Sequence, residues 1–180
     1  MKVYLSENAF VDILLSSAEV YKRECLGFLL GYRLEDRFIV EHAFSFQTAN
    51  RKHKGVIVHD KNHKKIEPIL DKFDRLQIIG DFHSHTQFGT TKGLPVPSGE
   101  DIDGMKNGLV YLIVAINNNE KTIGWGEKRD GTISGSVGDY FFKISAYFLN
   151  ENSSKRAKIH CPFPPAFLKQ NSSPVTSQRL

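Results

Sequence analysis

Apolar and polar positions along this chain switch between two periods, and the switches mark its elements. Val3 to Leu5 is a short strand candidate. Phe10, Ile13, Leu14, Ala18 and Tyr21 then fall on one helical stripe, with Ser6 placed to cap a helix running to about Lys22. Cys25 to Tyr32 (CLGFLLGY) is too short and too Gly-punctuated for a core helix and reads as a buried strand. Phe38 to Phe46 alternates and completes a hairpin across Leu34, Glu35 and Asp36. Ala49 to Gly55 is polar and basic, a loop. Ile66, Ile69, Leu70 and Phe73 set a helix over Asn62 to Leu76, with Pro68 expected near its first turns, where proline is tolerated.

The second half continues the pattern. Gln77 to His85 (QIIGDFHSH) reads as a strand running into a loop, and Thr86 to Pro97 is Thr/Gly/Pro-rich loop. Ser98 opens a second capped helix through Asp101 and Met105, stopped at Asn107-Gly108. Leu109 to Ile116 (LVYLIVAI), the most hydrophobic run, is the expected central strand, followed by a turn at Asn117 to Asn119. Thr122 to Glu127 and Thr132 to Val137 form two strands joined at Asp130-Gly131. Asp139 to Asn150 is amphipathic and aromatic and fits either helix or strand. The order predicts an α/β (α+β) fold, a mixed central sheet flanked by helices. Residues 1–150 form one domain, and 151–180, rich in Ser, Pro, Gln and Lys, read as a poorly ordered tail docking locally through Phe163, Phe167 and Leu168.

Composition narrows the function classes. At 180 residues the chain can bury a full core without a staple. A net charge of +4 is too small for a nucleic-acid binder. The basic segment 51–65 is a solvated face or a patch that steers an acidic protein partner. Two cysteines, Cys25 and Cys161, are no disulfide framework, and Cys25 reads as a small buried hydrophobe. There is no leader pattern at the N-terminus and no apolar stretch of membrane-spanning length, so no membrane is expected and the protein is read as cytoplasmic.

Three pieces carry chemistry. His83 and His85 are two apart on a strand and so share a side, where two imidazoles can reach one ion. That spacing alone does not separate a metal pair from two unrelated polar residues. Ser98-Gly99-Glu100-Asp101 is a helix start with Ser as N-cap, and it also sets an Asp carboxylate on the first turn, able to face the histidine strand. Two His and one Asp would leave one tetrahedral position open, the pattern of a catalytic zinc. Such a site needs a base. Glu24, just ahead of the buried strand, is placed for that role or is a solvated helix-terminal Glu. Ser98 could donate to the oxyanion. Glu100 and Asp103 flank Asp101 as rival ligands, each rotated away on the helix. His42 reads as a half-buried strand residue; His53, His59 and His63 lie among lysines; His160 adjoins Cys161 in the tail.

Taken together, Glu24 ahead of the Gly-containing strand Cys25 to Gly31, then His83-Ser84-His85, then Ser98-Gly99-Glu100-Asp101, resemble the JAMM/MPN (Mov34/PAD-like) metallopeptidase family in residue types and order. The resemblance covers residues up to about Asn150. It implies an MPN, cytidine-deaminase-like architecture and one Zn2+ per chain held by His83, His85 and Asp101. It also implies Glu24 as general base and acid and Ser98 as oxyanion partner. The implied reaction is hydrolysis of an amide bond at the C-terminus of a ubiquitin-like or sulfur-carrier protein. Two alternatives are a noncatalytic MPN-type scaffold and a metallopeptidase with an unrelated peptide substrate. Thr86 stands where the family usually has proline, and the loop 86–97 is longer than usual, which bears on substrate specificity.

Overall fold

The computed structural model describes residues 1–46, 50–51, 56–57, 60–119, 121–151 and 153–162. β1 (Lys2–Leu5) leads into α1 (Glu7–Glu19) through Ser6, whose Oγ accepts the Ala9 N–H at 3.0 Å and donates to the Glu41 carbonyl at 2.6 Å. The helix stops three residues short of Lys22. Val20 caps its end, and beyond it Lys22 takes φ +82°, a left-handed turn that delivers Glu24 to the next strand. β2 (Leu26–Leu34) and β3 (Arg37–Ser45) form the expected antiparallel hairpin. A two-residue pair, β4 (Asn50–Arg51) and β5 (Val56–Ile57), occupies part of the stretch expected as loop; the rest of 47–55 lies outside the described residues.

α2 (Asp60–Leu70) begins earlier and ends sooner than expected, so Pro68 falls in its last turn instead of its first. Proline offers no N–H to the preceding turn, and the helix ends two residues later. Its stripe is only partly used. Ile66, Leu70 and the largely exposed Ile69 line a hollow of about 200 Å³ with Leu30 and Phe44, while Phe73 is exposed outside it.

β6 (Gln77–Thr86), α3 (Gly99–Gly104) and β7 (Val110–Asn118) follow. α3 stops at Gly104, not at Asn107-Gly108, because Met105 turns to extended backbone and buries itself against Tyr111, Ile113 and Tyr147. Asn117 and Asn118, expected in a turn, are the last residues of β7. β8 is only Gly126–Glu127, paired with β9 (Ile133–Val137). The ambiguous segment is a strand, β10 (Tyr140–Asn150): Phe142, Ile144 and Ala146 enter the core at period two. The expected tail is corrected most. Ser153–His160 form β11, paired antiparallel with β10 and parallel with β1. Its polar composition hid it, since only Ala157 and Ile159 point inward. Residues 163–180, including Phe163, Phe167 and Leu168, lie outside the described residues.

The nine-stranded order is β11-β1-β3-β2-β6-β7-β10-β9-β8, with β10 also bonded to β11. The ladder therefore closes on itself. One edge of β10 is shared, residues 140–144 with β9 and 146–150 with β11. The fold is mixed α+β, dominated by strands, with only modest helical flanking. α1 buries Ala9, Phe10, Ile13 and Leu14 against the sheet, where Phe10 meets the Trp125 ring edge-on at 5.0 Å. β7 is buried on both faces, one joining that core and the other the smaller Met105–Tyr147 cluster. Gly80 lets β6 come this close to β7, because a Cβ there would strike the Val110 carbonyl. Among the described residues no helix is long and apolar enough to cross a membrane.

If β11 is integral to the closed ladder, Ile159→Ala should cost about 2–5 kcal/mol in a urea titration. A chain ended after Asn150 should melt well below the full chain. Unchanged stability in both would show that the sheet does not need this strand.

Candidate metal centre

The site is built on the β6–β7 pair. These strands run parallel, with Asp81 beside Tyr111, His83 beside Ile113 and His85 beside Ala115. Alternation puts Asp81, His83 and His85 on one face of β6, while Phe82 and Ser84 turn into the buried interior. Ser84 has no accessible surface and completes the ladder to the start of β2. Its Oγ accepts the Cys25 N–H at 2.9 Å, and its own N–H donates to the Cys25 carbonyl at 3.1 Å. Glu24 is thereby held level with the histidines.

α3 brings the third donor. Ser98 and Asp101 form a reciprocal capping box: the Ser98 Oγ accepts the Asp101 N–H at 3.2 Å, and the Asp101 Oδ2 accepts the Ser98 N–H at 2.6 Å. This orients the carboxylate toward β6. His83 Nε2 lies 3.1 Å from His85 Nε2 and 3.4 Å from Asp101 Oδ1, and His85 Nε2 lies 3.7 Å from Asp101 Oδ2. Donors bound at about 2.0–2.1 Å to a tetrahedral zinc sit roughly 3.3–3.4 Å apart, so the set fits such an ion without rearrangement. The second shell fits as well. His85 Nδ1 donates to the Leu94 carbonyl at 2.8 Å, which leaves the Nε2 lone pair facing the other donors. Among the described residues this is the one His/Cys/Asp/Glu group that could hold a metal ion.

Glu24, His83 and Asp101 line one cleft of about 280 Å³ together with Asp81, Glu100 and Tyr111. Burial would raise the Asp101 carboxyl, but the His83 hydrogen bond and charge and the Ser98 contacts outweigh it and hold it well below the usual carboxylate range. Burial would lower His83; Asp101, Asp81 and Glu24 outweigh it and raise it. Asp81 is pushed up to about 6, by burial first and by the Asp101 charge, against the opposing pull of His83.

Sequence reasoning picked out the three converging donors and Glu24. Ser98 is present as the cap, but it is exposed and does not line the cleft. Glu100 lines the cleft and Asp103 does not, and neither joins the donor set. Asp81 was missed, although its place two residues before His83 was a signal that it shares that face. Gly93 and Asn117 were missed as well. Asn117 Oδ1 accepts the Gly93 N–H at 2.8 Å and its Nδ2 donates to the Gly93 carbonyl at 3.1 Å, pinning the loop where Leu94 meets His85. A Cβ at Gly93 would strike the His85 carbonyl. His42 is half-buried on β3 as expected. His160, expected in a tail, ends β11, stacked on Tyr4 at 5.0 Å and 3.4 Å from Glu127. His53, His59 and the side chain of His63 lie outside the described residues.

Residues 6–126 match the family described as prokaryotic homologs of the JAB domain. No curated protein compared with the chain matches it. Among solved structures, the solution structure of protein DSY2949 from Desulfitobacterium hafniense aligns with TM-score 0.62 and 17% identity. The alignment covers 88% of this chain and 92% of that one. At that identity the likeness is one of fold.

The geometry separates neighbouring carboxylates. Asp101→Asn should cut bound metal sharply in elemental analysis, and Asp103→Asn should leave it unchanged; equal loss in both would reject the donor set. Ser84→Ala leaves the buried Cys25 N–H without its acceptor. It should cost about 1–3 kcal/mol in denaturant unfolding, whereas an unchanged midpoint would mean that this bond does not hold the two strands in register.

Proposed function

The chain belongs to the family of prokaryotic homologs of the JAB domain, and from that premise we propose that it is a zinc-dependent amide hydrolase. The observation that carries the reading is the convergence of His83, His85 and Asp101 within 4.8 Å of one another, with Glu24 in the same cleft as two of them. Three protein donors leave a position for water, and zinc supplies the Lewis acidity that makes water a nucleophile near neutral pH.

Glu24 takes a proton from the attacking water as its oxygen adds to the amide carbonyl carbon. The Ser98 hydroxyl, free to donate while its oxygen accepts the Asp101 N–H, is assigned to the carbonyl oxygen as negative charge develops there. Glu24 then passes its proton to the nitrogen as the C–N bond breaks, leaving a carboxylate and an amine. Because Ser98 also caps α3, it supports Asp101 as well as the oxyanion.

The substrate we assign is the C-terminal glycine of a ubiquitin-like or sulfur-carrier protein, joined through its carbonyl to an amine. A protein tail of this kind enters extended, read through its backbone. The clefts at this face are open to solvent, and the loop 86–97 exposes Phe88, Leu94 and Val96 beside it, a surface suited to a protein more than to a small molecule. Segment 51–65 is the second assigned partner contact. Cys25 and Cys161 are both buried, and the setting we assign is a reducing cytoplasm.

Glu24→Gln should retain about one zinc per chain and lose turnover of a ubiquitin-like fusion by at least about a hundredfold. Undiminished turnover would remove Glu24 from the mechanism. No bound metal in the wild-type protein after incubation with zinc would favour a noncatalytic scaffold.

A further inference from the structure

The face of the β6–β7 pair that carries the metal donors is charged oppositely at its two ends. Every second residue of β7 lies along it: Tyr111, Ile113, Ala115, Asn117. At the Asp81–Tyr111 end lies the acidic cleft already described, lined there by Asp81 and Glu100, with Glu24 on its wall at the level of the histidines. The donors His83 and His85 lie at the next two levels, beside Ile113 and Ala115. Beyond Ala115, at the carboxyl ends of both strands, a second cleft of about 520 Å³ opens, lined by Lys92, Lys121, Lys143, Gln87, Asn117 and Asn118 among others. Among the described residues no carboxylate lines it.

This cleft has a fixed wall. Asn117 clamps Gly93 through both backbone groups, the Gln87 Oε1 accepts the Asn118 N–H at 3.2 Å, and the Tyr147 hydroxyl donates to the Pro95 carbonyl at 3.1 Å. Leu94 belongs to both regions, its carbonyl on His85 and its residue in the lysine cleft. The Lys143 ammonium is neutralised by Asp130 at 3.0 Å. Lys92 and Lys121 have no ion pair among the described residues, and the described lining is therefore net positive.

We infer that the lysine-lined cleft is the subsite for the acyl side of the substrate and takes an acidic segment. The inference rests on the amide-hydrolase reading for its direction. Glu24 lines the acidic cleft and not the lysine cleft, and it must deliver a proton to the leaving amine, so the amine lies at the acidic cleft and the acyl chain runs the other way, past His85. One step along the strand is about 7 Å for two residues, so the cleft meets the side chains at the second and third residues before the cleaved bond. An extended chain turns successive side chains to opposite sides, so an acidic residue at one of these two positions faces Lys92 or Lys121. A basic pair would meet like charge.

The test is an NMR titration of the zinc-loaded, 15N-labelled full chain with three product-like peptides, Ala-Glu-Glu-Gly, Ala-Gln-Gln-Gly and Ala-Lys-Lys-Gly, each with a free C-terminal carboxylate. The acidic peptide should bind about tenfold more tightly than the basic one at low salt, a gap that narrows as salt screens it. Its shifts should centre on Gly93, Asn118 and Lys121. K92Q/K121Q should remove the preference and K92E/K121E should reverse it; both sites are exposed, so both variants should fold. Equal binding of the three peptides, shifts centred elsewhere, or no binding at millimolar peptide would overturn the proposal. Hydrolysis is assayed separately on a ubiquitin-like fusion. Charge-selective binding without hydrolysis would sink the hydrolase reading and the direction assigned from it, while leaving the cleft as an acidic-peptide site. Hydrolysis without charge selectivity would sink the cleft alone.

Discussion

The reciprocal hydrogen bonds between Ser84 and Cys25 are the constraint on which the site depends. Ser84 uses its backbone N–H and its hydroxyl to extend the β2–β6 ladder to the residue that follows Glu24. Two consequences follow from one side chain. Ser84 faces the interior, which forces its neighbours His83 and His85 to the opposite face, and Cys25 is locked in register with them, which fixes Glu24 at their level. The bond is fully buried, so its partners have no water to fall back on. A small hydroxyl residue between two histidines is thus a structural device as much as part of a pattern.

Around that frame the charges favour the approach of His83 and Asp101. Three carboxylates raise His83, and His83 in turn draws Asp101 down, with the helix cap adding two contacts. Asp101 comes from a six-residue helix that buries none of its own residues. Its position rests on the capping box and on Met105 anchoring the chain just beyond. The loop 86–97 is held in the same economical way: four backbone groups, two at Gly93 and one each at Leu94 and Pro95, meet Asn117, His85 and Tyr147. A loop pinned at its backbone leaves its side chains available for contacts outside the protein.

The closed ladder explains why a strand-dominated sheet can support this frame. An open mixed sheet would leave β1 and β10 as edges, and β11 joins them. That closure surrounds the apolar face of α1 with strands, so Phe10 and Ile13 are fully buried by a helix of modest length. Trp125 sits between Phe10 and Phe142, and the absence of a side chain at Gly135 leaves room for its indole.

Local pattern determined much by itself. Periodicity set β1, α1, the β2–β3 hairpin and β6, each of which buries one face, and the unbroken apolar run set β7, which is buried on both. The donor set was legible for the same reason: an i, i+2 pair on a strand and a capped helix start are local geometries. What required the tertiary structure were features whose energy comes from distant partners. β11 reads as polar because two inward residues, Ala157 and Ile159, suffice once β1 and β10 flank it. Pro68 and Met105 decide where their helices stop through backbone chemistry in one case and burial against β7 and β10 in the other. Asp81 acquires its raised carboxyl, and Lys92, Lys121 and Asn117 their common cleft, only when parallel pairing sets β6 beside β7. Sequence periodicity reports which face of an element is buried; which charges then share a cleft depends on strand order, and that is a property of the whole sheet.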